Sequence, residues 1–290
     1  MKATAALMLA IFCIGIDMYV VAALIPTMAS DLNESVAALA LLVSAYALPT
    51  ALLAPFFGPL SDRYGRRLVM LAGMGFFALT VAGTAVAPSL PSLVVLRALN
   101  GLGAAAVLPA VFAYAGDLPT VTQRSRAMGN LAMAFPLASL LGLPIGALLA
   151  GTISWRATFA AVAILAVVAT ILIWRLEPDR AKGSAAIGYT EGLRLAVGSR
   201  EVLAVLAVTF IWFLGPFGMF TFVAEFFQSS FGLTTSEVSV VFIVLGVVGV
   251  VSARTSGRFI ATIGPRKVVL LAIACFGTAV LILPSVQNLL

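Results

Sequence analysis

Gly58-Pro59-Leu60-Ser61-Asp62-Arg63-Tyr64-Gly65-Arg66-Arg67 lies between two long apolar runs. A partial copy returns as Gly257-Arg258-Phe259-Ile260-Ala261-Thr262-Ile263-Gly264-Pro265-Arg266. Gly58 and Gly257, Gly65 and Gly264, and Arg67 and Arg266 are each 199 residues apart. Each copy reads as a short basic turn, bounded by glycines, that joins two hydrophobic segments. Internal symmetry of this kind is characteristic of membrane proteins built as two related halves.

The surrounding composition agrees. Of 290 residues, 62% are hydrophobic and 10% are charged, with a mean hydropathy of +1.15. A soluble domain is about half apolar and about a quarter charged. A bilayer-spanning helix needs about 20 mostly apolar residues. Nine such runs can be placed, at 4–26, 36–57, 68–87, 92–115, 127–150, 157–174, 202–227, 237–253 and 268–286. They are too long, and too continuously apolar, to be the alternating strands of a β-barrel. Lys2 followed by Ala3–Ile16 also fits the start of a signal peptide, but the apolar stretch continues past Asp17 to Ile25, which favours a retained first helix.

The net charge of +6 is a topology signal, and no nucleic-acid partner is expected from it. Fifteen of the seventeen Lys and Arg residues fall on one set of alternate connections, with Arg156 on the other side and Arg97 inside a span. The positive-inside rule then places the N-terminus, the basic turns and the polar 175–201 connector in the cytoplasm. The chain divides into six spans over 1–175, a connector over 176–200 and three spans over 201–290. Cys13 and Cys275 both sit within spans and read as small apolar residues. The chain has no histidine, so no His-based metal site or catalytic triad is possible, and no cofactor or enzymatic site is expected.

Charged residues in mid-membrane are costly and mark candidate functional sites. Asp17 lies ~18 Å from the cytoplasmic end of span 1 at 1.5 Å per residue. Arg97, entering span 4 from outside, lies roughly 20 Å above the cytoplasmic boundary of a ~30 Å core. Their depths agree within about one helical turn, so the two can pair or share a cavity. A purely structural ion pair would also satisfy both side chains. Protonation of Asp17 changes the local field and can bias a two-state helix arrangement, which a proton-coupled carrier requires.

The basic turn resembles the loop between helices 2 and 3 of the major facilitator superfamily, G-x-L-x-D-R-x-G-R-[RK]. Leu96-Arg97-Ala98-Leu99-Asn100-Gly101-Leu102-Gly103-Ala104-Ala105 resembles that family's helix-4 pattern R-x-x-x-G-x-G-A-A. Asp17-Met18-Tyr19 with Ile25-Pro26 resembles the start of drug:proton antiporters. Gly142-Leu143-Pro144-Ile145-Gly146 is similar to the helix-5 antiporter motif, with Gly-x-Pro-x-Gly in place of adjacent Gly-Pro. Trp155-Arg156 with Phe159 resembles the W-R-x-x-F start of helix 6.

The resemblance implies an all-α, polytopic membrane bundle with a six-helix first half and an incomplete, three-helix second half. It implies a multi-pass protein of the bacterial inner membrane, whose partners are a small-molecule solute, protons and the lipid bilayer. The expected activity is proton-coupled efflux of small amphipathic or sugar-like molecules by alternating access. An importer on the same helices is the alternative. So is a truncated, non-transporting fragment, since the family pattern has twelve helices. The resemblance assigns proton coupling to Asp17 and Arg97.

It assigns a cytoplasmic gate to Gly58, Asp62, Arg63, Gly65, Arg66 and Arg67. In that reading both glycines permit tight geometry, and the arginines pair with Asp62 or with Asp117. Tyr19, Tyr46, Asn100, Phe112, Tyr114, Phe217 and Phe220 are candidates for lining a cavity, and Glu225 for the cavity or its rim. The oligomeric state is open on sequence grounds.

Overall fold

A computed structural model describes residues 2–176, 194, 198–211, 231–232 and 235–287. All its regular elements are helices: α1 (Lys2–Leu32), α2 (Val36–Tyr64), α3 (Arg66–Val86), α4 (Leu90–Gly116), α5 (Val121–Thr152), α6 (Trp155–Trp174), α7 (Thr235–Ile263) and α8 (Pro265–Gln287), with a further helical stretch over 200–211. Two compact units result, Met1–Gly188 and Tyr189–Leu290. Six helices among the described residues, α1 to α6, are long and apolar enough to cross a membrane. The runs at 237–253 and 268–286 fall inside α7 and α8, while most of 202–227 lies outside the described residues.

The helices overrun the apolar runs, because their ends are set by caps. The first run ends at residue 26, yet α1 continues to Leu32 with Met28 and Ala29 still buried. It stops where Asn33 turns left-handed (φ 54°) and the Glu34 amide donates back to the Ala29 carbonyl at 3.0 Å. That is the closing bond of a Schellman-type terminus, with Asn in the position usually held by Gly. Ser35, Thr120 and Ser154 then start α2, α5 and α6 by accepting from the amides of Ala38, Gln123 and Arg156.

The basic turn is much shorter than its sequence suggests. Residues 58–64 are helical, and Gly65 alone separates α2 from α3. Ser61, Asp62 and Arg63 do not break the helix: the Ser61 hydroxyl donates to the Gly58 carbonyl at 2.7 Å, and Asp62 reaches Arg66 across the junction at 2.9 Å. The expected turn role of Gly58 is therefore corrected. It is an ordinary helical residue, and a Cβ built on it would meet nothing within 4 Å. Gly65, at φ 94°, occupies backbone space that L side chains rarely enter.

The second copy repeats this geometry. Gly264 (φ 84°) alone separates α7 from α8, and Gly232 (φ 65°) stands 199 residues after Asn33. The Val69 amide closes onto the Gly65 carbonyl at 3.2 Å, and Val268, 199 residues later, closes onto Gly264 at 3.3 Å. All four left-handed residues among those described thus fall into two pairs at the spacing of the sequence repeat.

In the first unit, α4 packs mainly on α2 and α3, α1 on α5 and α6, and α3 on α6. Small residues make these approaches close, as expected where lipid removes the hydrophobic drive between helices. A Cβ on Gly101 would stand 2.3 Å from the Tyr46 carbonyl oxygen, locking α4 against α2. Gly73 and Gly103 play the same part between α3 and α4, where added Cβ atoms would approach Ala106 and Phe77 at 2.8 and 2.9 Å.

Candidate functional site

At the centre of the first unit, Arg97 Nη1 donates to Asp17 Oδ2 at 2.6 Å. Both side chains are sealed from solvent, at 1% and 0% exposure. Two ions at such burial offset their desolvation only by pairing closely, and removing either partner strands the other. The pair ties α1 to α4. Arg97 also turns toward α2: Nε donates to the Leu42 carbonyl at 3.4 Å, and the guanidinium carbon lies 4.4 Å from the Tyr46 ring centroid. Three helices therefore meet on one guanidinium.

The same region holds buried polar atoms with no hydrogen-bond partner among the described residues: Asp17 Oδ1, the Tyr46 hydroxyl and Asn100 Oδ1. Asn100, one helical turn beyond Arg97, donates to Thr84 Oγ1 at 3.4 Å, and Thr84 donates to the Thr80 carbonyl at 3.0 Å. Buried polar atoms are usually satisfied, so these three atoms near a buried ion pair stand out among the described residues.

The basic junction forms a second cluster. Arg66 bridges Asp62 of α2 and Asp117 at the end of α4. Arg67 donates to the carbonyls of Ile173 and Trp174, the last residues of α6. Arg63 lies over the ring of its neighbour Tyr64, 5.4 Å from the centroid. Four helix ends converge here. The Asp62 and Asp117 side chains are half exposed, at 50% and 58%. Each ion pair there contributes at most about 1 kcal/mol, so the cluster adds little stability.

A third cluster lies at the opposite ends of these helices. Asp31, in the last turn of α1, accepts from Trp155 Nε1 at 3.0 Å and pairs with Arg156. Arg156 also donates to the Ala87 carbonyl at 3.3 Å and lies 4.2 Å from the Trp155 ring centroid. Asp31 does not stand out in the sequence, because its partners are more than 120 residues away. The one available clue is Arg156, the lone basic residue on its side.

The helix-5 motif glycines pack α5 on α1. Cβ atoms there would stand 2.8 Å from Ile16 at Gly142 and 2.2 Å from Val20 at Gly146, while Pro144 between them is exposed. The cavity candidates do not converge. Tyr46 and Asn100 are buried near Arg97. Tyr19 is half-buried, two residues from Asp17, and so points to a different side of α1. Phe112 and Tyr114 lie ~22 Å or more along α4 from Arg97, the first 37% exposed and the second half-buried. Phe217, Phe220 and Glu225 lie outside the described residues.

Comparison with known proteins places this arrangement. The sequence profile described as Major Facilitator Superfamily matches residues 7–289. The MFS-type transporter YwfA of Bacillus subtilis (strain 168) is 28% identical over 284 residues, covering 96% of this chain and 69% of the relative. A chloramphenicol resistance protein of Streptomyces lividans is 29% identical over 274 residues, covering 91% of this chain and 70% of the relative. Among solved structures, the proton:xylose symporter XylE bound to 6-bromo-6-deoxy-D-glucose superposes with a TM-score of 0.76 at 18% identity. That match covers 90% of this chain and 69% of XylE.

Proposed function

The chain belongs to the Major Facilitator Superfamily, a family of multi-pass membrane transporters, and on that premise we propose that it serves proton-coupled efflux of small amphipathic solutes by alternating access. The observation that carries this reading is the Asp17–Arg97 pair, sealed in the membrane-spanning part of the first unit, with one carboxylate oxygen unpartnered among the described residues. A proton arriving at Asp17 Oδ1 neutralises the carboxylate and releases Arg97 from its anion. The attraction joining α1 to α4 falls, and the balance between two packings of the helices shifts. Loss of the proton restores the pair.

The junction cluster supports a gate at the basic end. Arg66 and Arg67 gather the ends of α2, α4 and α6 around the start of α3, so a movement of any one of them is felt by the others. The distribution of basic residues favours a cytoplasmic position for that end and for the N-terminus. Efflux of amphipathic molecules is favoured by the relative named for chloramphenicol resistance. The likeness to XylE supports the fold alone.

Everted membrane vesicles test the direction and the coupling together. With the lumen acidified, cells producing the chain should yield vesicles that accumulate a chloramphenicol-type solute, and a protonophore should abolish the accumulation. Accumulation that survives the protonophore would remove proton coupling. Protonophore-sensitive loss of solute from the vesicles would reverse the direction.

A further inference from the structure

Arg97 is also held from α2, and that hold has a built look. Leu42 and Tyr46 are one turn apart on α2 and present a carbonyl and an aromatic face to the same guanidinium. The Tyr46 side chain is buried, with 4% of the residue exposed, and its hydroxyl has no hydrogen-bond partner among the described residues. The ring, not the hydroxyl, makes the contact. Its placement is fixed one turn beyond Arg97, where Thr50 Oγ1 lies 2.8 Å from the Tyr46 carbonyl and 3.1 Å from that of Gly101. A Cβ at Gly101 would collide with that same Tyr46 carbonyl oxygen at 2.3 Å. The α2 turn carrying the ring is therefore pinned to the α4 turn carrying the cation.

We propose that Tyr46 is a positioning residue for Arg97, its ring keeping the guanidinium in the core while Asp17 is neutral. The inference rests on the reading of Asp17 and Arg97 as the pair that gains and loses a proton. With Asp17 ionised, Arg97 has an anion, a carbonyl and a ring. With Asp17 neutral, the carbonyl and the ring remain, and a lone buried cation depends on them. The attraction of a cation for an aromatic face is strongest where water is excluded.

Beyond Cys13 and Tyr19, which neighbour Asp17 on α1, the other ionisable side chains on the packed helices stand at helix ends, with Arg66 and Arg67 opening α3 and Tyr114 and Asp117 closing α4. Cys13 is one turn from Asp17 on α1, Asp62 and Arg63 close α2, Arg124 and Arg126 open α5, and Arg156 sits at the start of α6 with Asp31.

Thermal unfolding of the purified full chain in detergent tests this, with Asp17→Asn standing for the neutral state. Tyr46→Phe keeps the ring, while Tyr46→Met approximates its bulk without the aromatic face. Tyr46→Phe should match its parent in both the wild-type and the Asp17→Asn backgrounds. Tyr46→Met should lower Tm modestly in the wild-type background and by about 3 °C further in the Asp17→Asn background. In the Asp17→Asn, Arg97→Gln background, where the central cation is gone, Tyr46→Phe and Tyr46→Met should behave alike. A double variant Asp17→Asn, Tyr46→Met that fails to fold while both single variants fold is the extreme form of the predicted non-additivity.

Equal losses from Tyr46→Met in both backgrounds would overturn the proposal. So would a Tyr46→Phe variant as poor as Tyr46→Met, or a Tyr46→Met defect that persists without Arg97. The readout is stability. Additive losses with proton-driven flux intact would therefore sink the role of Tyr46 alone, whereas flux indifferent to Asp17 would sink the coupling reading.

Discussion

Arg97 can be neutralised by little else where it sits. Its Nη1 is committed to Asp17, its Nε to a backbone carbonyl and its face to a ring, all within the first unit. Replacing Arg97 by Ala leaves a buried carboxylate without a counter-ion, and breaking a buried pair in this way costs about 3–5 kcal/mol. Arg97→Ala should therefore unfold at markedly lower temperature than wild type, and Asp17→Asn combined with Arg97→Gln should recover most of the loss. A double variant no better than Arg97→Ala would mean that Asp17 is satisfied elsewhere.

Both members of this pair are legible in the sequence, because a charge inside an apolar run is conspicuous and their depths agree. The role of Tyr46 is not legible. Aromatic side chains are common in such helices, and only the packing of α2 on α4 shows which of them meets the guanidinium. Asp31 is hidden for the same reason, since its partners on α6 come from far along the chain.

At the scale of the elements, the existence and order of the helices follow from hydropathy, but their ends do not. An apolar run reports where lipid or core begins. Where a helix stops depends on single residues such as Asn33 and Gly65, whose left-handed backbone conformations leave no trace in a hydropathy profile. The junction at Gly65 has the wrong backbone for a side chain. Gly65→Ala should cost about 1–3 kcal/mol, the strain of holding a non-glycine residue at such angles, read as a lowered Tm. Gly58→Ala, inside α2 and with open space at its Cβ, should be neutral or slightly stabilising.

Gly146 presents the opposite problem, with suitable backbone and no room. Gly146→Ala drives a methyl group into Val20, for a loss of about 1–3 kcal/mol. Val20→Ala in the same chain should relieve part of it. If Val20→Ala simply adds its own cost, the α1–α5 contact is not the one described.

For the whole molecule, the 199-residue repeat first seen in two basic segments extends to helix boundaries, the closing bond at the junction and left-handed residues. What repeats is the helical hairpin with its one-residue break. The acid does not repeat: Ala261 stands where the first copy has Asp62, so the bridge from Arg66 to Asp62 has no counterpart at the second junction. The charge asymmetry predicts sidedness. In a variant lacking the native cysteines, Gln123→Cys should be blocked only by reagents that reach the cytoplasm, and Ser89→Cys should react from outside. The reverse pattern would invert the proposed topology and the direction of transport with it.

The central claim is that Asp17 carries the coupling proton. Its most direct test is pH-gradient-driven solute flux in proteoliposomes holding wild type or the Asp17→Asn variant at equal, folded amounts. Flux should be clear in wild type and fall to the level of empty liposomes in Asp17→Asn, while undiminished gradient-driven flux in the variant would contradict the account.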